Sequence, residues 1–255
     1  MNLRGLAVAL QFFTTLPAPP VRAYVDNDLA RSAVWLPTVG LLIGCLVAAA
    51  IAVSATVSPV LAALLGLIVW VRVTGGLHLD GLADASDGLA ASHRQPDRFL
   101  KVARDPNIGA FGVIAICLII AAKIALVAII VQDYGTTAVI AIILVPAWAR
   151  WIALTTAWAL PAIGDGRAAT FKGGLAPTGI AANAAMLAIA SGLVAPSLII
   201  AVLLVVGAVA FWQSRLGGLS GDCLGATIEV SEATLLVATI VGLRFGLTSP
   251  LGLLS

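Results

Sequence analysis

Charge is what this sequence has least of. Only 10% of its 255 residues are charged, where soluble domains carry roughly 25%. A chain so poor in charge cannot clothe a globule of this size in water. The net charge of +2 is too small to hold a nucleic-acid backbone. Cysteine is scarce as well: three residues, an odd number, with no metal-ligand spacing and no disulfide framework. Cys45 and Cys117 sit in apolar runs and are expected to pack there, and Cys223 falls in a polar stretch. No internal repeat, low-complexity tract or separate polar domain interrupts the chain. The N-terminus has one early basic residue, Arg4, and no small-residue cleavage pattern before Pro17, so no cleaved signal peptide is read there.

What is present is hydrocarbon. The chain is 61% hydrophobic with a mean hydropathy of +1.09, and its apolar runs reach about 20 residues, the length that crosses a bilayer. This predicts an all-α, polytopic membrane protein in a lipid bilayer, a single domain over residues 1–255. Seven spans are expected at roughly 36–57, 59–74, 109–131, 137–160, 177–195, 197–213 and 233–254. Residues 3–16 are apolar but short, and read as an interfacial or partly inserted helix that Pro17 ends. Pro146 is expected to kink the fourth span.

Numbering the loops alternately places eleven of the 14 Lys and Arg on one side, while Lys123, Arg150 and Arg244 fall within spans. By the positive-inside rule the first side is cytoplasmic. Eleven of the 12 acids also lie there, only Asp133 being opposite. Acids carry little topological signal, so their asymmetry points to chemistry on that face. With no acid expected inside a span, the three intramembrane cations imply an anionic ligand for at least one of them.

The most distinctive polar stretch is residues 75–88, Gly-Gly-Leu-His-Leu-Asp-Gly-Leu-Ala-Asp-Ala-Ser-Asp-Gly. On a helix, Asp80, Asp84 and Asp87 share an arc of roughly 60°, opposite Leu82, Ala85 and Leu89. Three like charges on one face repel unless a cation lies between them. Hard carboxylate oxygens suit Mg²⁺ or Mn²⁺ and not zinc. The competing reading is a solvated acidic turn with one aspartate as a helix N-cap. His78 is the histidine near this cluster, a candidate general base, although a continuous helix would turn it away from the aspartates.

A second cluster runs Arg104-Asp105-Pro106-Asn107-Ile108-Gly109. Asp105 as N-cap and Pro106 at the first position would start the third span, and a helix N-terminus beside Arg104 also suits a phosphate. A third cluster, Gly217-Gly218-Leu219-Ser220-Gly221-Asp222-Cys223-Leu224-Gly225, precedes Glu229 and Glu232. Glycines such as Gly218 and Gly221 let amides approach phosphate oxygens. The plainer alternative is a flexible loop. Lys172 with Gly173 and Gly174 is a weaker version of the same pattern. Carboxylates, basic residues and glycine loops on one membrane face fit Mg²⁺-dependent chemistry on a diphosphate; spacing does not say which diphosphate.

The stretch 75–88 resembles the signature of the cobalamin synthases, the adenosylcobinamide-GDP ribazoletransferase family. Arg104-Asp105 with Ile108-Gly109 and Gly112 is similar to that family's next motif. Gly217-Gly218, Ser220-Gly221-Asp222 and Leu224-Gly225-Ala226 are similar to its late motif, and Phe12-Phe13-Thr14-Thr15-Leu16-Pro17 to its N-terminal stretch. Cys223 stands where a small polar residue is expected. The resemblance implies that a hydroxyl of α-ribazole, or of its 5′-phosphate, attacks adenosylcobinamide-GDP and releases GMP. It also implies Mg²⁺ and a bacterial inner membrane. Asp80, Asp84 and Asp87 would then hold the metal. Arg104, Asp105, Lys172, Gly218 and Gly221 would bind phosphate or substrate; Asp222 and His78 would be the catalytic candidates, Asp222 either taking the proton of the attacking hydroxyl or completing the metal site. Two other membrane transferase classes set aspartates at the cytoplasmic face. CDP-alcohol phosphotransferases carry Asp-Gly-x-x-Ala-Arg, where Gly81 is here followed by Leu82-Ala83-Asp84. Prenyltransferases carry two aspartate-rich motifs, where the second cluster here is glycine-rich. A cation transporter is the rival of a different class and would need acids within its spans.

Overall fold

The computed structural model describes residues 3–21, 28–164 and 175–247. Within them the chain is helical: α1 Leu3–Phe13, α2 Asp28–Ser32, α3 Leu36–Ser54, α4 Pro59–Thr74, α5 Leu77–Ser92, α6 Pro96–Ala103, α7 Ala110–Tyr134, α8 Val145–Ala159, α9 Pro177–Val194, α10 Ala201–Leu216 and α11 Gly221–Arg244. Tighter 3₁₀ turns join α2 to α3 (Ala33–Trp35) and lead into α8 (Thr136–Leu144) and α10 (Pro196–Ile200). Six helical stretches are long and apolar enough to cross a membrane: Asp28–Ser54, Ala110–Tyr134, Thr136–Ala159, Pro177–Val194, Pro196–Leu216 and Gly221–Arg244. The bent pair α4–α5 brings the number up to seven. The protein is a multi-pass membrane protein, as its composition requires. α1, at 11 residues, is too short to span.

The structure departs from the sequence expectation in several places. The last span begins at Gly221 rather than near 233, so Glu229 and Glu232 lie two to three turns inside it. Its glycines resemble a loop, but Ser220 caps it, accepting the Cys223 amide at 3.4 Å, and Cys223 is a buried residue of its first turn. Pro146 does not kink a helix. It stands in the first turn of α8, after the 3₁₀ stretch, where its missing N–H has no partner to lose. Cys45 and Cys117 face outward, with Phe111, Ile114 and Leu118 of α7 among the exposed apolar side chains of the same kind of surface. That surface suits lipid.

α5 does not continue α4. Gly75 and Gly76 both take left-handed backbone angles, φ +63° and +72°, which L-residues with a Cβ disfavour. The chain turns through 86° there. α5 therefore lies across the end of the bundle at which α4, α8 and α10 finish and α3, α7 and α11 start. It packs on α11 with backbones in near contact: a Cβ on Gly81 would lie 3.2 Å from the Cα of Gly225 and from the carbonyl oxygen of Asp222. The strand-like segment after α8 pairs with the one before α11, Ile163 N–H to the Leu219 carbonyl and Leu219 N–H to the Pro161 carbonyl, both 3.0 Å. α1 is held to the same end by the Thr15 amide and hydroxyl, which donate to the Val73 and Arg72 carbonyls at 2.8 Å. Arg4 pairs with Asp28 at 2.6 Å.

Candidate functional site

These contacts enclose a cavity of 340 Å³ at the shared helix end. Asp80, His78 and Gly81 of α5 line it, with Ser220, Gly221, Asp222 and Gly225 at the start of α11 and Arg104 just past α6. Phe12 and Phe13 of α1, Leu36 of α3 and Ala153, Leu154 and Ala157 of α8 form the apolar walls. The N-terminal Phe12-Phe13 stretch, the aspartate helix, Arg104 and the late glycine motif are thus neighbours in space.

The three aspartates of α5 divide. Asp80 is exposed on the cavity rim, and Asp84 is half-buried one turn on. Burial raises the Asp84 carboxyl to about 6, and the carboxylates of Asp80, Asp222 and Asp87 push in the same direction. Among the described residues no lysine or arginine forms a salt bridge with Asp80 or Asp84. Asp87 has another occupation. Its two oxygens accept the amides of Gly109 at 2.7 Å and Gly112 at 3.0 Å, so it caps the N-terminus of α7 from a different helix. A Cβ at Gly109 or Gly112 would strike that carboxylate, which is why both positions are glycine. The expectation that Asp105 caps this span is corrected. Asp105 is exposed and accepts from the Asn107 amide and side chain at 2.9 and 2.8 Å. Those bonds hold its carboxyl below its usual range.

Asp222 receives a hydrogen bond from Ser220 Oγ at 3.2 Å. Gly218 does not line the cavity; it packs on the Pro161 carbonyl, closer than a Cβ would allow. Lys172 lies outside the described residues. His78 is 4% exposed and forms part of the cavity wall, with its Nε2 buried and without a hydrogen-bond partner among the described residues. Burial, then the charges of Arg150 and Lys123, keep this imidazole neutral, its proton affinity well below the usual histidine value.

Behind the cavity lies a constellation that sequence reasoning missed. Lys123 Nζ of α7 donates to Glu229 at 2.6 Å and Glu232 at 2.5 Å, both on α11. Arg150 Nη1 of α8 donates to Glu232 at 2.9 Å and to the Pro146 carbonyl at 3.0 Å. Trp70 Nε1 of α4 donates to Glu232 at 3.3 Å, and its ring lies 4.7 Å from Lys123 Nζ. Two cations and two anions cancel. The expectation that no acid would lie within a span is wrong, and with it the inference of an anionic ligand for Lys123 or Arg150. Acids within a span were to mark a transporter; these are neutralised by cations of the neighbouring helices α7 and α8. The signal was available: Glu229 and Glu232 are three apart, on one helix face, and two intramembrane cations required partners.

The residues fit a divalent ion in a particular way. Among the described residues no group of three or more His, Cys, Asp or Glu side chains is gathered closely enough to hold a metal on protein groups alone. Mg²⁺ seldom asks for that. It keeps waters and binds through one or two carboxylates together with substrate phosphates. Asp80 on the cavity rim and Asp84 one turn on, neither in a salt bridge among the described residues, are a donor set of that type.

Known proteins were compared with the chain. A family model described as cobalamin-5-phosphate synthase matches residues 5–240. The adenosylcobinamide-GDP ribazoletransferase of Laribacter hongkongensis is 44% identical over 246 residues, covering 96% of this chain and 100% of that one. The transferase of the same name from Novosphingobium aromaticivorans is 43% identical over 248 residues, 94% and 97% of the two chains. That from Thiobacillus denitrificans is 40% identical over 242 residues, 94% and 96%. No solved structure matches the chain. The order of motifs, the helical membrane architecture and a match over nearly the whole length agree: the chain belongs to the cobalamin-5-phosphate synthase family.

Proposed function

We propose that the protein is an adenosylcobinamide-GDP ribazoletransferase that works as a Mg²⁺-dependent phosphotransferase. A hydroxyl of α-ribazole, or of its 5′-phosphate, forms a new O–P bond to the phosphate that carries cobinamide. The bond between the two phosphates of adenosylcobinamide-GDP breaks, and GMP leaves. The observation that supports this reading is a pair of acids at one cavity mouth, Asp80 and Asp222 from two helices, with Arg104 on the same rim and Asp84 one turn along α5 within electrostatic reach of both.

Phosphoryl transfer needs positioning and charge neutralisation more than covalent help from the protein. Asp80 and Asp84 are assigned to hold Mg²⁺, which when bound neutralises the diphosphate. Arg104 is assigned to the non-bridging phosphate oxygens, with Asp105 fixing the turn that follows it and Lys172 a further candidate cation. Gly221, whose added Cβ would meet nothing within 4 Å, leaves the start of α11 open for close approach. Asp222 is assigned to receive the proton of the attacking hydroxyl. His78 is the poorer acceptor, since the cations behind it disfavour imidazolium.

The test is GMP release by the purified protein in lipid. GMP is expected only when corrinoid, riboside and Mg²⁺ are all present. Asp84→Asn should lower the rate by ~10²-fold or more, the scale of losing a transition-state charge contact, and leave the melting temperature near wild type. No GMP from the complete mixture would end the reading. The charge distribution supports a bacterial inner membrane with the site facing the cytoplasm. A cysteine placed at Arg94, exposed beyond α5, should resist membrane-impermeant thiol reagents in sealed cells, and labelling there would reverse the orientation.

A further inference from the structure

The cavity has two chemical ends. Its rim carries Asp80, Arg104 and Asp222, and its inner walls are apolar. On α8, Arg150, Ala153, Leu154 and Ala157 follow at i, i+3, i+4 and i+7, one helix face. The last three line the cavity, and Arg150 continues the same face one turn further from the rim. On α11, Asp222, Gly225 and Ile228 line it, and Glu229 and Glu232 follow behind. The Lys123–Glu229–Glu232–Arg150 network therefore lies further along the same helix faces, beyond the residues that line the inner end. Because that network balances its own charges, it offers the inner end no net charge. Its glutamates are already engaged by Lys123, Arg150 and Trp70, so they are not free acceptors for a guest.

From this we infer that the inner end of the cavity is the subsite for the uncharged aromatic base of the acceptor riboside. The inference rests on the transferase reading and says which part of which substrate enters. Three groups compete for the space. A corrin macrocycle is far too large for 340 Å³, a volume at the small end of the roughly 300–1,000 Å³ of ligand pockets. Guanine would bury an N1–H and an amino group against apolar inner walls, and unpaired buried donors are costly. A benzimidazole asks little: it is flat, uncharged and almost wholly apolar. Phe12 and Phe13, set edge to face with centroids 4.9 Å apart, and the ring of His78, buried in the cavity wall, give it aromatic walls. Ala153, Ala157 and Gly81 leave room for its thickness. With the base inside, the sugar reaches outward and brings its hydroxyl to Asp222 on the rim. The diphosphate of the other substrate then meets Arg104 and the carboxylates from outside, and the macrocycle stays clear of the cavity.

The experiment measures binding before turnover. Wild-type protein in lipid nanodiscs is dialysed to equilibrium against a radiolabelled benzimidazole riboside with no corrinoid present. Ala153→Phe, which fills the inner end, and Ala157→Leu, which narrows the cavity one turn nearer the rim, should raise the riboside Kd and KM tenfold or more, with the KM for adenosylcobinamide-GDP within twofold of wild type. Unchanged riboside binding in a filled variant that still melts cooperatively overturns the subsite, as does a rise in the corrinoid KM alone, which would assign the cavity to guanosine. Where filling prevents folding, Phe12→Val removes bulk instead. It should weaken the riboside about fivefold and admit a base with a larger ring substituent; selectivity identical to wild type overturns the proposal. A wild-type protein that binds the riboside but releases no GMP keeps the subsite and removes the transferase reading. GMP release with unaltered riboside parameters in the filled variants does the opposite.

Discussion

Two groups of acids stand a few helical turns apart in this protein. At the cavity, Asp80 of α5 lines the rim with Asp222 of α11, and Asp84 lies one turn on within reach of both; Asp80 and Asp84 have no salt-bridge partner among the described residues. Deeper on α11, Glu229 and Glu232 are gripped by Lys123 and Arg150 at 2.5–2.9 Å. The residue chemistry is the same and the bookkeeping of charge is opposite. A carboxylate neutralised by its own fold serves to hold helices together. A carboxylate left without a cation stores repulsion that a ligand can relieve. What separates a site from a scaffold is the missing counter-charge, not the presence of acids.

The largest effects should come from exchanging one charge in each group. Asp222→Asn should cut GMP release by ~10²–10⁴-fold, as loss of a proton acceptor does, with little change in melting. Glu232→Gln should do the reverse. It strands Arg150 and half of the Lys123 contact in a buried setting, and breaking such a pair costs about 3–5 kcal/mol. The expected reading is a large fall in melting temperature or in folded yield, with near-normal KM values for whatever folds. If Glu232→Gln melts like wild type and loses only rate, the network belongs to the chemistry and the contrast fails.

How far this contrast was legible depends on which residues one follows. Hydropathy is a local property, so the helical membrane fold and most spans could be read from the run of apolar residues. The aspartate helix could be read too, because Asp80, Asp84 and Asp87 recur at helical spacing. Local spacing could not separate Asp87 from the others. Its partners, the amides of Gly109 and Gly112, are 22 and 25 residues away, and only the packing of α5 on α7 brings them together. The start of α11 was hidden by its composition: Gly217, Gly218, Gly221 and Gly225 mimic a loop, while in the fold Gly218 packs closely on Pro161 and Gly225 on Gly81. The turn at Gly75-Gly76 was hidden for the same reason, two glycines being compatible with a helix end or a bend.

Acidity sharpens the comparison next. The Asp84 carboxyl is raised from 3.8 to about 6, so the folded protein holds this proton more tightly than the unfolded chain. Its contribution to stability is complete below about pH 4 and is lost as pH rises through 6. Without divalent ion, the melting temperature should therefore decline across this window, and Asp84→Asn should flatten the decline. Mg²⁺ and the proton compete for the same oxygens. Mg²⁺ should stabilise the protein well at pH 7.5 and progressively less below pH 6, in melts recorded with and without the ion. A Mg²⁺ effect independent of pH over that range would take Asp84 out of the metal site.

Asp87 provides the smallest and most exacting test, because it lies on the same helix face as the rim acids and yet has partners of its own. Both its oxygens are used by α7, and the glycines opposite it are shaped to its reach. A residue so engaged resembles Glu232 in function more than it resembles Asp84, although its partners are amides and not cations. Asp87→Asn keeps the shape, loses the charge and turns an N–H towards one of the two amides. Losing a helix cap costs about 0.5–2 kcal/mol, and the charge adds the part owed to the helix dipole, typically 0.3–1 kcal/mol. A modest drop in melting temperature is expected, with the Mg²⁺ concentration for half-maximal rate unchanged. Should that concentration rise as it does for Asp84→Asn, Asp87 would hold the ion as well as the helix, and all three aspartates of α5 would belong to the rim.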